Sequence, residues 1–414
     1  MSGLQPVRGT RDILPEERRA HRHIEETARQ AAERFGYDEV ATPIFEFSDV
    51  FRRTLGDTSD IVTKEMYTFT DKGGDEITLR PEGTAGVARM LIAGGLAQNL
   101  PLKYFYRGPM FRYERPQKGR FRQFHQIGVE LLGVGEPLGD IEVIALGAAL
   151  LEAIGVADET TLELNTLGNS ASRAAYREVL VAYLSDHRAD LSNDSQERLE
   201  RNPLRILDSK NEGDRRIVAG APDFSDSLDT ESTDFFAAVK EGLETLGIAY
   251  TLNSRLVRGL DYYCHTAFEF TTQALGAQGT VLAGGRYDGL VGQMGGQETP
   301  GVGWAAGVER LALLAGAGAP PPRPVAVIPV SRDLETQAMT LAHALRRDGY
   351  VVELAFRGNM SRRLKRANKL NASVAVILGP DEAARGAATI RDLDGGDQSE
   401  VLFETLSERL AAYR

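Results

Sequence analysis

The stretch YRGPMFRYERPQKGRFRQF, residues 106–124, sets Arg107, Arg112, Arg115, Lys118, Arg120 and Arg122 against a single acid, Glu114. Planar guanidinium groups grip phosphate and carboxylate through paired N–H···O bonds, so arginine this dense between apolar residues points to an anionic ligand. Read as a β-hairpin with side chains alternating between faces, its second strand carries Arg122, Phe124, Gln126, Gly128 and Glu130 on one side. Gly128 leaves room between two polar groups, which makes that face a candidate ligand floor. In the first strand Arg112 shares a face with Met110 and Glu114, and the loop RPQKGR gathers Arg115, Lys118 and Arg120 over the hairpin end. A solvated, charged hairpin is the alternative that composition leaves open.

Other segments carry chemistry of the same kind. In LVRGLDYYCHTAFEF (256–270), Arg258 precedes a turn at Gly259 and is followed by Asp261, Tyr262 and Tyr263. That arginine either reaches a ligand or pairs with Asp261. LAGGRYDGLV (282–291) is a glycine-rich turn whose Arg286, Tyr287 and Asp288 either line a pocket or close a tight hairpin. GVGWAAG (301–307) fits a loose G-x-G-x-x-A, but a dinucleotide site needs an acid about 20 residues on within a βαβ unit, and this chain runs into a proline-rich linker. The small residues are expected to permit close backbone approach instead, with Arg310 on the next helix. The segment RGNMSRRLKRANK (357–369) contains no acid. Its Arg362, Lys365, Arg366 and Lys369 recur at helical spacing and share a face, either solvated or facing nucleic acid. No metal site is expected: Cys264 is the single cysteine, and His21 and His23, the closest histidine pair, do not share a helix face.

The elements that must position these residues are legible in outline. AGAGAPPPRP (315–324) is a linker, and beyond it 324–414 alternates strand and helix as a small α/β domain. Before it, 16–35 reads as a long helix, EVATPIFE as a strand entry, and EITLRPEGTAGVARMLIAGG as a strand running into a helix. Strands are predicted over 104–114, 121–132, 265–272 and 279–284, and 301–314 as strand, turn and helix. Residues 168–230 are polar and helical and read as an insertion. The 414 residues carry a formal net charge of −11, which does not exclude nucleic acid because binding depends on local basic surface. No apolar run suits a membrane span or a signal core, so a soluble, cytoplasmic protein is expected.

Taken together, these segments resemble the class II aminoacyl-tRNA synthetases, and the histidyl-tRNA synthetases in particular, over nearly the whole chain and most loosely in the insertion. VRGTRDILP (7–15) is similar to that family's N-terminal signature, and FGYDEVATPIFE (35–46) to motif 1 of the class, a dimer-interface element. The 106–124 segment resembles motif 2 and GVGWAAGVERLALL resembles motif 3. RGLDYY (258–263) and AGGRYDGL (283–290) resemble the two histidine-specific signatures. The resemblance implies an α+β catalytic domain over 1–320, an antiparallel sheet of about six strands flanked by helices, with the helical insertion near 168–230. An α/β anticodon-binding domain over 324–414 follows.

It also implies roles. Arg112 would hold the α-phosphate and the substrate carboxylate, and Arg120 and Arg310 the outer phosphates of ATP. Glu82 and Thr84, with Gly83 between them, and Gln126 would bind the α-amino group of L-histidine. Glu130 and Tyr263 would read the imidazole beside Tyr262, and Arg258 would be the catalytic cation at the α-phosphate. Mg2+ would accompany ATP, Arg362, Lys365, Arg366 and Lys369 would face tRNA, and the chain would be a homodimer. A regulatory paralogue of ATP phosphoribosyltransferase shares this catalytic fold but would lack the C-terminal domain and the RGLDYY arginine, both of which are present here.

Overall fold

The computed structural model describes residues 4–55, 61–117, 119–207, 209–257, 262–276, 279–316, 318 and 320–413. Two compact units divide the chain, Met1–Ala319 and Pro320–Arg414. The first opens with helix α1 (Pro15–Arg34). Pro15 sits in the first turn, where its missing N–H costs nothing, and Glu16 and Glu17 face the positive end of the helix dipole. Ala20, Ile24, Ala28, Ala31 and Ala32 recur on one face and are buried, and Gly36 at φ +80° ends the run.

The strands of this unit are β1 (Asp38–Val40), β2 (Phe45–Phe47), β3 (Tyr67–Thr70), β4 (Glu76–Leu79), β5 (Leu102–Phe111), β6 (Gln123–Leu132), β7 (Thr161–Thr166), β8 (Thr251–Leu252), β9 (Cys264–Thr271), β10 (Thr280–Arg286) and β11 (Gly301–Gly307). Eight of them form one sheet in the order β1-β5-β6-β11-β10-β9-β7-β8, and β2-β4-β3 form a small second one. The six central strands pair antiparallel, as expected. The two outermost pairings, β1 with β5 and β7 with β8, are parallel. Those edge strands span three and two residues, too short for any alternation to show in the sequence.

Alternation sorts the two faces of the sheet. Phe105, Ile127, Val129, Leu131, Leu164, Phe268, Val302, Trp304 and Ala306 point into one core. That core is shared with α1 and with α3 (Pro137–Ala153), α5 (Thr230–Thr245) and α6 (Val308–Ala315), helices numbered in chain order after α2 (Thr84–Ala93) and α4 (Ser170–Asp186). α3 is apolar nearly all round because it is enclosed between α1, α5 and β11, and Trp304 Nε1 donates to Val143 O at 3.0 Å. The opposite face is made of small and polar residues. One cross-strand row runs Tyr106, Gly128, Ala305, Ala283, Glu269, and the next runs Tyr104, Glu130, Gly303, Gly285, Ala267. α2 covers part of this face, burying Val87, Ala88 and Leu91 against Tyr106, Tyr262, Tyr263 and Tyr287.

From α4 to the start of α5 the chain is helical and builds a small core of its own from Tyr176, Leu180, Leu184, Leu199, Ile206, Val218 and Phe224. Asp214 accepts hydrogen bonds from Ser192, Ser195 and Ser209 within it. Burial raises its pKa, but those donors win and hold its carboxyl at about 2.

The second unit holds β12 (Val325–Pro329), β13 (Val352–Leu354), β14 (Val374–Leu378), β15 (Ala387–Asp392) and β16 (Gln398–Leu402) in the order β13-β12-β14-β15-β16. The first three are parallel with helices as crossovers, and β15 and β16 add antiparallel. In place of strict strand–helix alternation, β15 and β16 form a hairpin, turned at Asp394–Gly396 with Gly396 at φ +83°. Helix α7 (Met360–Lys369) is capped by Asn359, whose side chain accepts from Arg362 N at 3.1 Å.

Candidate active site

The small-residue face of the main sheet is the floor of a cavity of about 290 Å³. Gln126 from β6, Gly303, Ala305 and Gly307 from β11, Ala283 from β10 and Glu269 from β9 line it. Close approach is what these residue types provide: a Cβ at Gly128 would run into the Tyr106 ring, and one at Gly303 into the Glu130 carboxylate and Val129 O. The GVGWAAG run therefore serves the floor with alternate residues while Val302, Trp304 and Ala306 anchor the strand from below.

The cavity gathers cations. Arg112, just past the end of β5, Arg120 in the hairpin loop and Arg310 on α6 all line it. Each is already held. Arg112 Nε donates to Pro81 O at 2.9 Å, with its guanidinium 5.3 Å from the centre of the Phe124 ring. Arg120 is ion-paired with Glu114, and Arg310 donates to Thr280 O at 2.8 Å. It also carries Glu82, Thr84, Gln126, Tyr262 and Tyr263, the two tyrosine rings 4.6 Å apart. Glu82 stands at the start of α2 and takes Thr84 N and Ala85 N at 2.8 and 2.7 Å. Burial pushes its pKa up, and those amides oppose the shift. Gly83 supplies contact rather than a group: a Cβ there would strike the Tyr106 ring. Gln126 Oε1 is buried with no hydrogen-bond partner, an acceptor open to a ligand.

Glu130 does not line the cavity. It lies one layer behind, 1 % exposed, between Thr84 and Gly303. Thr84 Oγ1 donates to its Oε1 at 2.6 Å and Tyr287 Oη donates to its Oε2. Burial pushes its pKa up to about 8, against the two hydroxyls that donate to it. Tyr287 is the residue that sequence reasoning left undecided, and its signal lay in the AGGRYDGL run.

Several sequence expectations are corrected. Arg122 does not join the floor; it lies just before β6, stacked 3.7 Å from the centre of the Tyr113 ring. Arg107 pairs with Glu39 at 2.8 Å, and Arg115 is exposed and outside the cavity. Arg286 is fully buried and bonded to Asp140, Asp288 and Val134 O, which makes it a structural arginine. Arg258, Asp261 and Lys118 lie outside the described residues. Cys264 is buried, accepts from Asp288 N, and burial pushes its thiol up to about 12, so it is unreactive. His265 sits in a bulge at φ +43°, stacked on Phe235 at 4.6 Å.

In the second unit Arg362, Lys365, Arg366 and Lys369 are all exposed on α7, and Ala367 packs inward. The run is less unbalanced than it reads. Arg366 is paired with Glu353 at 2.8 Å, and Arg363 is buried, donating to Gly358 O at 2.8 Å. No helix among the described residues is long and apolar enough to cross a membrane.

Known proteins resemble this chain throughout. The family model for histidyl-tRNA synthetase matches residues 9–311, and that for an anticodon-binding domain matches 324–413. The histidine–tRNA ligase of Rhodospirillum rubrum is 64% identical over the full length of both chains, and that of Gluconacetobacter diazotrophicus is 56% identical over 99% of each. The crystal structure of apo S. aureus histidyl-tRNA synthetase is similar with a TM-score of 0.83 at 33% identity, covering 98% of this chain and 99% of that one. Matched end to end in both sequence and shape, the chain belongs to the histidyl-tRNA synthetase family.

Proposed function

We propose that this cavity activates L-histidine with ATP and that fixed guanidinium groups, with no protein nucleophile, carry the step. The chain is a histidine–tRNA ligase, which joins histidine to its tRNA in two steps at the expense of ATP. The observation that carries the residue assignment is the meeting, in one cavity, of the amino-acid set Glu82, Thr84, Gln126, Tyr262 and Tyr263 with the phosphate set Arg112, Arg120 and Arg310.

In the first step the histidine carboxylate attacks the α-phosphorus and pyrophosphate leaves in line. Such a reaction needs positioning and charge stabilisation on the phosphoryl oxygens, which preorganised arginines supply without proton transfer. Arg112 stands between the two reactants, and Arg120 and Arg310 take the outer phosphates. Arg258 is assigned the α-phosphate by resemblance. Glu82, Thr84 and the unpaired Gln126 oxygen receive the α-ammonium. Tyr263 and the Glu130–Tyr287 pair read the imidazole, and an amino acid without a ring N–H leaves that pair unanswered, a mismatch that can cost about 10⁴–10⁵ in kcat/KM. Glu114 and Glu269 offer the hard oxygens Mg2+ takes, so the donor set fits; when bound, that ion neutralises the β- and γ-phosphates. In the second step the 3′-terminal ribose hydroxyl of tRNA attacks the adenylate carbonyl.

The exposed cations of α7 support a tRNA-facing role for Arg362, Lys365 and Lys369, with Arg366 held by Glu353 until RNA competes for it. Exposed Ile44, Phe45, Phe47 and Phe69 around the small sheet support pairing with a second copy. The work is assigned to the cytoplasm, where tRNA and ATP are available. Histidine-dependent ATP–pyrophosphate exchange, run without tRNA against all twenty amino acids, is the test. Exchange with histidine alone is expected; exchange with none, histidine still binding, would overturn the assignment.

A further inference from the structure

At the wall of the cavity that Glu309 lines, three side chains from distant parts of the sequence converge: His21 on α1, His125 on β6 and Glu309 on α6. Each offers one ligand atom, and the three atoms lie within 4.8 Å of one another; among the described residues this is the cluster of histidine and carboxylate groups close enough to hold an ion. His125 Nδ1 is 2.8 Å from Glu309 Oε1, and the His21 and His125 rings meet edge to face with centroids 5.5 Å apart.

An independent observation concerns His21 itself. It is fully buried, and neither Nδ1 nor Nε2 has a hydrogen-bond partner. The nearest acid on its own helix, Glu17, stays 3.7 Å from Nε2, beyond hydrogen-bond reach. Burying an imidazole with both nitrogens unanswered is costly, and packing alone would be served better by an apolar side chain.

We propose that His21, His125 and Glu309 form a binding site for a divalent transition metal of the Zn2+ type. Two imidazoles and one carboxylate suit Zn2+ or Co2+ rather than Mg2+ or Ca2+, which prefer oxygen alone. In the empty site a proton lies between His125 Nδ1 and Glu309 Oε1, since a carboxylate only accepts. The metal takes that proton's place. The Nδ1–H bond breaks and its proton leaves to solvent while solvent protonates Nε2, so the ring stays neutral in its other tautomer, and bonds form to Nδ1, to the Glu309 oxygen and to one His21 nitrogen. Tetrahedral bonds of about 2.0–2.1 Å set donors roughly 3.3 Å apart, so the 2.8 Å pair opens slightly and the widest separation closes by about an ångström or more. Glu17 is the nearest further oxygen, and water can complete the shell. Because Gln126 follows His125 and Arg310 follows Glu309, the ion would clamp α1, the floor strand and the phosphate-binding helix together.

The test uses full-length protein stripped with a chelator and titrated with Co2+ alone, then with Zn2+. One Co2+ per chain is expected, with the visible bands of a low-coordinate ion that Zn2+ then abolishes, and a melting temperature that rises with metal concentration. His21→Leu should lose both the bands and the thermal shift, and His21→Gln, closer in polarity should the leucine not fold, should lose them too. No bands in the wild type, or bands that survive in both variants, would overturn the site. If neither variant folds, anomalous scattering from Co2+ in wild-type crystals decides, and an ion away from these three side chains overturns it.

Discussion

Glu130→Gln isolates the group assigned to the imidazole. The substitution keeps size and shape, and the two hydroxyls that hold the carboxyl group, Thr84 Oγ1 and Tyr287 Oη, remain within reach. One of them must turn from donor to acceptor to meet the new amide nitrogen, a rearrangement worth about 1 kcal/mol of stability. Function has more to lose. A carboxyl group whose pKa burial pushes up to about 8 lies close to the ordinary imidazole value of about 6.5, so acid and ring share a proton readily. An amide cannot share one. Losing a hydrogen bond of that charged kind costs about 1.5–3 kcal/mol, or about 10- to 150-fold in kcat/KM for histidine. The assay is histidine-dependent pyrophosphate exchange, with the KM for ATP expected to hold. A loss below about fivefold, less than 1 kcal/mol, would refute the reading of Glu130. The same group gives a pH signature. Its folded pKa lies above its unfolded value, so its contribution to stability is full below about pH 4.5 and is lost as pH rises through about 8. Urea unfolding between these limits should show the wild type losing stability relative to Glu130→Gln as pH rises; parallel curves would contradict the buried acid.

Gly303→Ala should abolish histidine activation, because its Cβ would collide with the Glu130 carboxylate and Val129 O; exchange at near wild-type rate would show that the floor can give way. Asp140→Ala leaves the Arg286 guanidinium buried without its main counter-charge and should cost about 3–5 kcal/mol in urea unfolding, whereas a cost under 1 kcal/mol would mean that water reaches the site. Arg310→Ala should weaken ATP use in exchange while isothermal titration still detects histidine; loss of histidine binding instead would move Arg310 out of the phosphate role.

The sequence makes the scaffold more legible than the partners. Alternation in 123–132 is regular enough to predict β6 and to send Ile127, Val129 and Leu131 one way and Gln126, Gly128 and Glu130 the other. The edge strand β8 escaped because two residues carry no period, whereas β1 falls partly within the strand entry read at EVATPIFE. Arginine is where local reading is weakest. Arg107, Arg112, Arg120 and Arg122 stand in one segment and look alike, yet Glu39 takes the first and the Tyr113 ring the last, and only the folded chain brings these together with them. Arg286 sits in a signature that leaves it open between a pocket and a tight hairpin, and its partner Asp140 lies on α3, far away in sequence. The converse holds for His21, whose neighbours on α1 give no hint of His125 and Glu309.

The lone acid of the basic segment acquires a reason from its neighbours. A guanidinium partly removed from water needs a partner, because an uncompensated charge there is strongly destabilising. Arg112 and Arg310 meet that need with backbone carbonyls, of Pro81 and Thr280. Arg120, out on the hairpin loop, uses Glu114. On the proposed roles the phosphates of ATP would meet arginines that are each already held through at least one nitrogen, so binding exchanges some partners as well as adding contacts. Two consequences follow from that exchange. On those roles, net affinity would be the difference between a phosphate and any acceptor it displaces, such as Glu114 at Arg120. And the arginines are held in place before the nucleotide arrives, so little reorganisation remains for the moment when charge builds on the phosphoryl oxygens, which is where fixed dipoles and charges act most strongly.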